Sequence, residues 1–252
     1  MSGLPKRRPV RVALPQAGVL RFHSDPAALP AARGAGPNRF DDPRPRSLTT
    51  FRVRYSASTL RGCLLESLDW LRPDPAAASR EADVVDDAER ETTTAGTWTP
   101  WVALEDFLAD RQVGTLVARD LHILSIDDPH LQAQLDQEPG VRALLDSSDG
   151  RAVLSASGRR PRLDQAAVRL SSEFGRELSQ ACSLAVWDRI PQPDGLHYRS
   201  RHDDSEDCWA LYDHAPVDIQ DVVPFLPSNP EHRTALQDVA RLWDLPLPPS
   251  WR

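Results

Sequence analysis

The stretch LHYRSRHDDSEDCWALYD, residues 196–213, crowds Tyr198, Arg199, Ser200, Arg201, His202, Asp203 and Asp204 into seven consecutive positions. Such side chains can bind anions, hold hydroxyls or move protons. An apolar burst, Cys208-Trp209-Ala210-Leu211-Tyr212, follows. The pattern suits a polar loop aimed at a ligand and fixed by a buried strand, and it suits a plain surface loop as well. His202 and Asp203 stand too close along the chain to be read as a preformed triad with Ser200. The histidines lack H-x-x-x-H and H-E-x-x-H spacing, and Cys63, Cys182 and Cys208 form no C-x-x-C, so no metal site is expected. No Gly-rich dinucleotide fingerprint precedes a helix, which argues against a Rossmann dehydrogenase.

Bulk properties narrow the classes further. The 252 residues suffice for one sizeable core. A net charge of −7 argues against direct nonspecific contact with nucleic acid, and the short basic cluster Lys6-Arg7-Arg8 does not reverse that. There is no apolar run of membrane-spanning length and no apolar stretch after the N-terminal basic residues. Three sparse cysteines read as reduced thiols, so the expected location is the cytoplasm.

Several elements must position the chemistry. Residues 9–23 read as short extended pieces around a Gly turn, and 24–47 as loop. Phe51, Val53, Tyr55 and Ala57 alternate with polar residues, which predicts a half-buried strand over 51–58 with Tyr55 on its apolar side. Leu60, Cys63, Leu64, Leu68 and Leu71 predict a helix over 59–71 that Pro73 stops, with Glu66 opposite its apolar stripe. Residues 74–91 carry seven acids against two arginines and read as a solvated or mobile stretch, part of an acidic insertion at about 74–112. Trp98 to Leu108 can re-enter the core, and 113–126 reads as two short strands or one bent one. Three-and-four spacing predicts one long helix over 162–187, and CWALYD a buried strand. Asn229 and Pro230 predict the start of a last helix over 230–243. The mixture indicates an α/β or α+β fold: a main domain over 17–215, then a C-terminal extension, 216–252, with one helix.

Four ordered segments carry a resemblance: VLRFHS at 19–24, GPNRFDDP at 36–43, RYSASTLRGCLLESL at 54–68 and GLHYRSRHDDSEDCWALYD at 195–213. In that order they resemble the RES-domain family, whose members are typically toxins of bacterial toxin–antitoxin operons. The family's arginine matches Arg39, its strand tyrosine and the glutamate eleven residues later match Tyr55 and Glu66, and its late serine matches Ser200. Gly36-Pro37-Asn38 stands where the family usually has Gly-Gly. The resemblance implies a single ADP-ribosyltransferase-like domain, a mixed β-sheet with flanking helices. It implies breakdown of NAD, as substrate and not cofactor, at the nicotinamide–ribose bond, with water or inorganic phosphate as acceptor. It also implies a neutralising antitoxin of helix-turn-helix type. Transfer of ADP-ribose to a macromolecule, and a non-catalytic interaction protein, are the alternatives.

These residue types fit that chemistry. Nicotinamide leaves without prior protonation, so the barrier is an oxocarbenium-like ribose beside an anionic pyrophosphate. The resemblance makes Arg39 the phosphate anchor, with Arg21 a second candidate and Arg201 an added positive field. Glu66 would favour the ribose cation, Tyr55 would stack on nicotinamide or ribose, and Ser200 would bond a carboxamide, ribose or phosphate; Tyr198 lines the same pocket. Each has a plainer reading: Arg39 or Arg201 paired with a nearby aspartate, Glu66 facing water, Tyr55 in the core, Ser200 inert.

Overall fold

The computed structural model describes residues 9–28, 38–45, 48, 51–72, 100–156, 158, 160–189 and 191–252. Its strands are β1 (Arg11–Val12), β2 (Val19–His23), β3 (Val53–Ala57), β4 (Gln112–Val117), β5 (Ile123–Ser125), β6 (Gly195–Arg199), β7 (Asp207–Tyr212) and β8 (Asp218–Pro224). They form one eight-stranded sheet in the order β1-β5-β6-β7-β3-β2-β4-β8. All pairs are antiparallel except β5 with β6. The helices are α1 (Leu60–Ser67), α2 (Pro100–Leu108), α3 (Pro129–Leu135), α4 (Pro139–Leu145), α5 (Ser148–Ala156), α6 (Gln165–Val168), α7 (Glu173–Trp187) and α8 (Pro230–Trp243). This is a mixed α/β fold, as expected.

Strand alternation divides the sheet into two faces. Phe22, Val53, Tyr55, Ala57, Leu196, Tyr198, Cys208, Ala210 and Tyr212 turn to the main core, which α1 and α7 complete through Leu64, Leu65, Phe174, Leu178, Cys182 and Val186. Val19, Leu116, Ile123, Trp209 and Leu211 turn to a smaller cluster on the opposite face. The buried thiols are free, and burial pushes Cys63 and Cys182 up to about 12, which makes them structural and not reactive.

Several sequence expectations change. The single helix over 162–187 is two, because the chain carries two caps. Asp164 accepts from the Ala167 amide at 2.9 Å, and Ser172 accepts from the Gly175 amide at 3.2 Å. Between them the Leu170 carbonyl comes so close to Gly175 that a Cβ there would lie 2.3 Å from it. Residues 195–199 are not loop but strand β6, paired on both sides, with Leu196 and Tyr198 inward. Only residues 200–206 remain loop. The helix from residue 60 ends at Ser67 and gives way to a 3-10 turn, Asp69–Leu71.

Of the stretch 74–112, residues 74–99 lie outside the described residues, as does Pro73; α2 buries Leu104 and Leu108, and β4 begins at Gln112. Beyond residue 215 the chain stays tied to the frame: β8 pairs with β4, and α8 begins at Pro230 with Asn229 accepting from the Glu231 amide at 2.9 Å.

Candidate active site

Glu66 stands on the last turn of α1, and three features aim it at the end of β6. The Thr59 side chain caps α1 by accepting from the Gly62 amide at 2.9 Å. The buried Glu206 then accepts from Thr59 Oγ1 at 2.5 Å and from Arg61 at 2.8 Å, tying the start of α1 to the 200–206 loop. Gly62 permits this approach, since a Cβ there would sit 2.7 Å from a Glu206 carboxylate oxygen. That close approach accounts for a glycine where helix propensity disfavours one.

At the other end of α1, Ser200 Oγ donates to Glu66 Oε1 at 2.7 Å, and the Tyr198 hydroxyl reaches Oε2 at 3.4 Å. Ser200 is fully buried, and its Oγ also accepts from the His202 amide at 3.2 Å. Its proton is directed at a carboxylate, so Ser200 fixes the orientation of Glu66. Burial first, and Glu66 second, push Tyr198 well above the ordinary phenol range, so it is a neutral donor. The reading of Glu66 as a water-facing helix residue does not hold: it is half-buried and receives two hydroxyls.

Arg39 is buried in the loop before β3, beside the same tyrosine. Its Cζ lies 5.4 Å from the Tyr198 ring centroid and 5.1 Å from that of Phe40. Nη2 donates to the Val168 carbonyl at 2.7 Å. Nε and Nη1 are buried with no hydrogen-bond partner. The helix break after α6 leaves Val168 O free for this contact. Neither Asp41 nor Asp42 pairs with Arg39. Asp41 accepts from Asn38 and Tyr55, and Asp42 binds Arg44 at 2.7 Å. An arginine so placed, with two N–H groups idle, is prepared for an anion.

Tyr55 turns its hydroxyl to the Arg39 loop. Its hydroxyl donates to Asp41 at 3.0 Å and accepts from the Phe40 amide at 2.9 Å. Both functions of the hydroxyl therefore hold the Arg39 loop. Burial first, then the Asp41 charge, push this phenol far up, and burial raises Asp41 as well. Gln180 and Ser183 of α7 brace the same loop by donating to the carbonyls of Asn38 and Phe40 at 2.9 and 2.8 Å.

Two nominated arginines do not join the group. Arg21 sits on the opposite face of the sheet beside Val19, donating to the Pro26 carbonyl at 2.9 Å, and burial with the Arg54 charge lowers it to about 10. Arg201 pairs with Asp69 and lies 3.3 Å from His202 Nε2. Sequence reasoning missed Asp41, Gln180, Ser183 and Glu206. Nothing along the chain separates Glu206 from Asp203 and Asp204; its burial and its bond from Thr59 do. Among the described residues no cluster of potential metal ligands occurs, and no helix is long and apolar enough to cross a membrane.

No curated protein matches this chain. Among solved structures, a chain of the M. tuberculosis MbcT-MbcA toxin-antitoxin complex is similar at 13% identity over 85% of each chain, with a TM-score of 0.44. The model of the RES domain matches residues 9–235 and so takes in Arg39, Tyr55, Glu66 and Ser200. The chain belongs to the RES-domain family.

Proposed function

We propose that the protein is an NAD-degrading toxin that cleaves the nicotinamide–ribose bond. One observation carries this reading: a carboxylate oriented by Ser200 and Tyr198 stands across one aromatic ring from an arginine with two idle N–H groups. Arg39 would take the pyrophosphate in forked fashion. Glu66 would face the ribose, where positive charge grows as the C–N bond lengthens. The bonding pair leaves with nicotinamide, which becomes neutral, and the ribose carbon accepts a pair from the nucleophile.

With water as nucleophile, a proton must depart. Glu66 Oε2, held only by the long Tyr198 contact, is the oxygen able to receive it. With dianionic phosphate as nucleophile, no proton needs to leave. Ser200 and Tyr198 keep the carboxylate aimed in either case, and Tyr55 acts one step away, by fixing the loop that carries Arg39. As in other members of the family, the partner would be an antitoxin that blocks this site.

Purified protein incubated with labelled NAD, with and without inorganic phosphate, tests the reading. Free nicotinamide with free ADP-ribose supports a hydrolase. Free nicotinamide with phosphorylated ADP-ribose, formed only when phosphate is present, supports a phosphorylase. Label retained on protein or nucleic acid would replace this reading with macromolecular transfer. Undiminished NAD, in folded protein free of co-purified inhibitor, would leave only a non-catalytic role.

A further inference from the structure

The face of the sheet turned away from Glu66 holds a second set of polar groups. Ser56 on β3 and Trp209 on β7 are cross-strand partners. The Leu20–Ala57 register sets Arg21 of β2 beside Ser56. Arg54 stands two residues from Ser56 on the same face. Ser56, Trp209 and Arg21 are 5%, 3% and 2% exposed, and Arg54 is half-buried.

Their hydrogen bonding is one-sided. Arg54 Nε and Nη1, Ser56 Oγ and Trp209 Nε1 are all buried without a partner. An indole and a guanidinium only donate, and a serine hydroxyl can donate. Arg21 uses Nη1 on the Pro26 carbonyl. The carboxylates that act on this group are engaged elsewhere: Asp25 accepts from the Ala27 and Ala28 amides, and Asp213 from Arg52 at 3.3 Å. Arg54 also lowers Arg21, in addition to its burial. Idle buried donors cost stability, and so do like charges side by side. A ligand with several acceptor oxygens and two negative charges would satisfy all of them at once.

We propose that this face binds a phosphate group, with Arg54, Ser56 and Trp209 donating to its oxygens and Arg21 adding positive field. The site is independent of the NAD reading. It lies across the sheet from Glu66, so a phosphate held here is not the acceptor in the reaction.

Calorimetric titration with inorganic phosphate, and separately with ribose 5-phosphate, distinguishes a free anion from a phosphate monoester. The wild type and Arg39→Ala should bind at least one probe with the same affinity. Arg54→Met should weaken that binding at least tenfold, and Trp209→Phe, which removes one donor and keeps an aromatic ring, about tenfold, as for lost hydrogen bonds to a charged group. Tighter binding of inorganic phosphate names the free ion as ligand, and tighter binding of ribose 5-phosphate names a monoester. Binding of neither probe would overturn the proposal. So would binding lost in Arg39→Ala and kept in folded Arg54→Met and Trp209→Phe, which would place the phosphate at the Glu66 site.

Discussion

Two loops bring the candidate site together, and they are fixed by different kinds of contact. The loop with Arg39 is closed on itself by Asp41, which accepts from Asn38, and by the Asp42–Arg44 pair. It is set by Tyr55 of β3 and by Gln180 and Ser183 of α7, elements far from it along the chain. The 200–206 loop is held mostly by charged partners. Within it the Ser200 N–H donates to the Glu206 carbonyl at 2.9 Å and the Asp203 carboxylate accepts from Ser205; outward, Glu206 and Asp203 pair with Arg61, Ser200 donates to Glu66, Arg201 and His202 meet Asp69, and Asp204 pairs with Arg169. The Arg39 side of the site therefore rests on hydroxyl and amide groups of β3 and α7. The carboxylate side rests on charged partners in α1 and beyond it.

That difference can be broken from either end. Between the two loops, the largest effect is expected at Arg39. Arg39→Ala should lower kcat/KM for NAD about 100-fold, and Arg39→Lys should restore only part of it, since an ammonium cannot reproduce the fork. Steady-state kinetics on folded variants measures this. Next comes Tyr55→Phe, which leaves the Phe40 amide and Asp41 short of a partner. It should cost about 1–3 kcal/mol in denaturant unfolding, with activity falling alongside. Unchanged stability with activity lost would instead mean that the hydroxyl serves the substrate directly.

Glu206→Gln tests the other loop. It removes the charge that Arg61 and Thr59 share, so a loss of about 1–2 kcal/mol is expected, with a smaller loss of activity than at Tyr55. The smallest effect belongs to Asp203. Hydrogen bonds from Ser205, then Arg61, hold its carboxyl down at about 2. A carboxyl lowered on folding stabilises the protein above its unfolded value near 4, and that stabilisation fades as pH falls toward 2. Asp203→Asn should therefore differ slightly from wild type near neutral pH, and the gap should close between about pH 4 and pH 2 in thermal unfolding scans.

Much of this was legible in the sequence. Period-two alternation placed Tyr55 on the core face, and Asn229-Pro230 fixed the start of α8. The family resemblance nominated Glu66, Ser200 and Arg39, which the fold gathers around Tyr198. What escaped has physical causes. A helical period runs through 162–187 regardless of caps, so the break that frees Val168 O for Arg39 was hidden behind an unbroken stripe. Strand β6 reads as a loop because only Leu196 and Tyr198 face inward, and its outward residues are polar. Arg21 is one residue out of phase with Phe22, and a single step along a strand moves a side chain to the other face.

The most direct test of the central claim compares wild type with Glu66→Gln by nicotinamide release from NAD, both shown folded by circular dichroism. The amide keeps the shape and can still meet Ser200 and Tyr198, but it removes the negative charge. The account predicts a loss of about 100- to 10,000-fold with the fold intact. Equal nicotinamide release by the two proteins would contradict it.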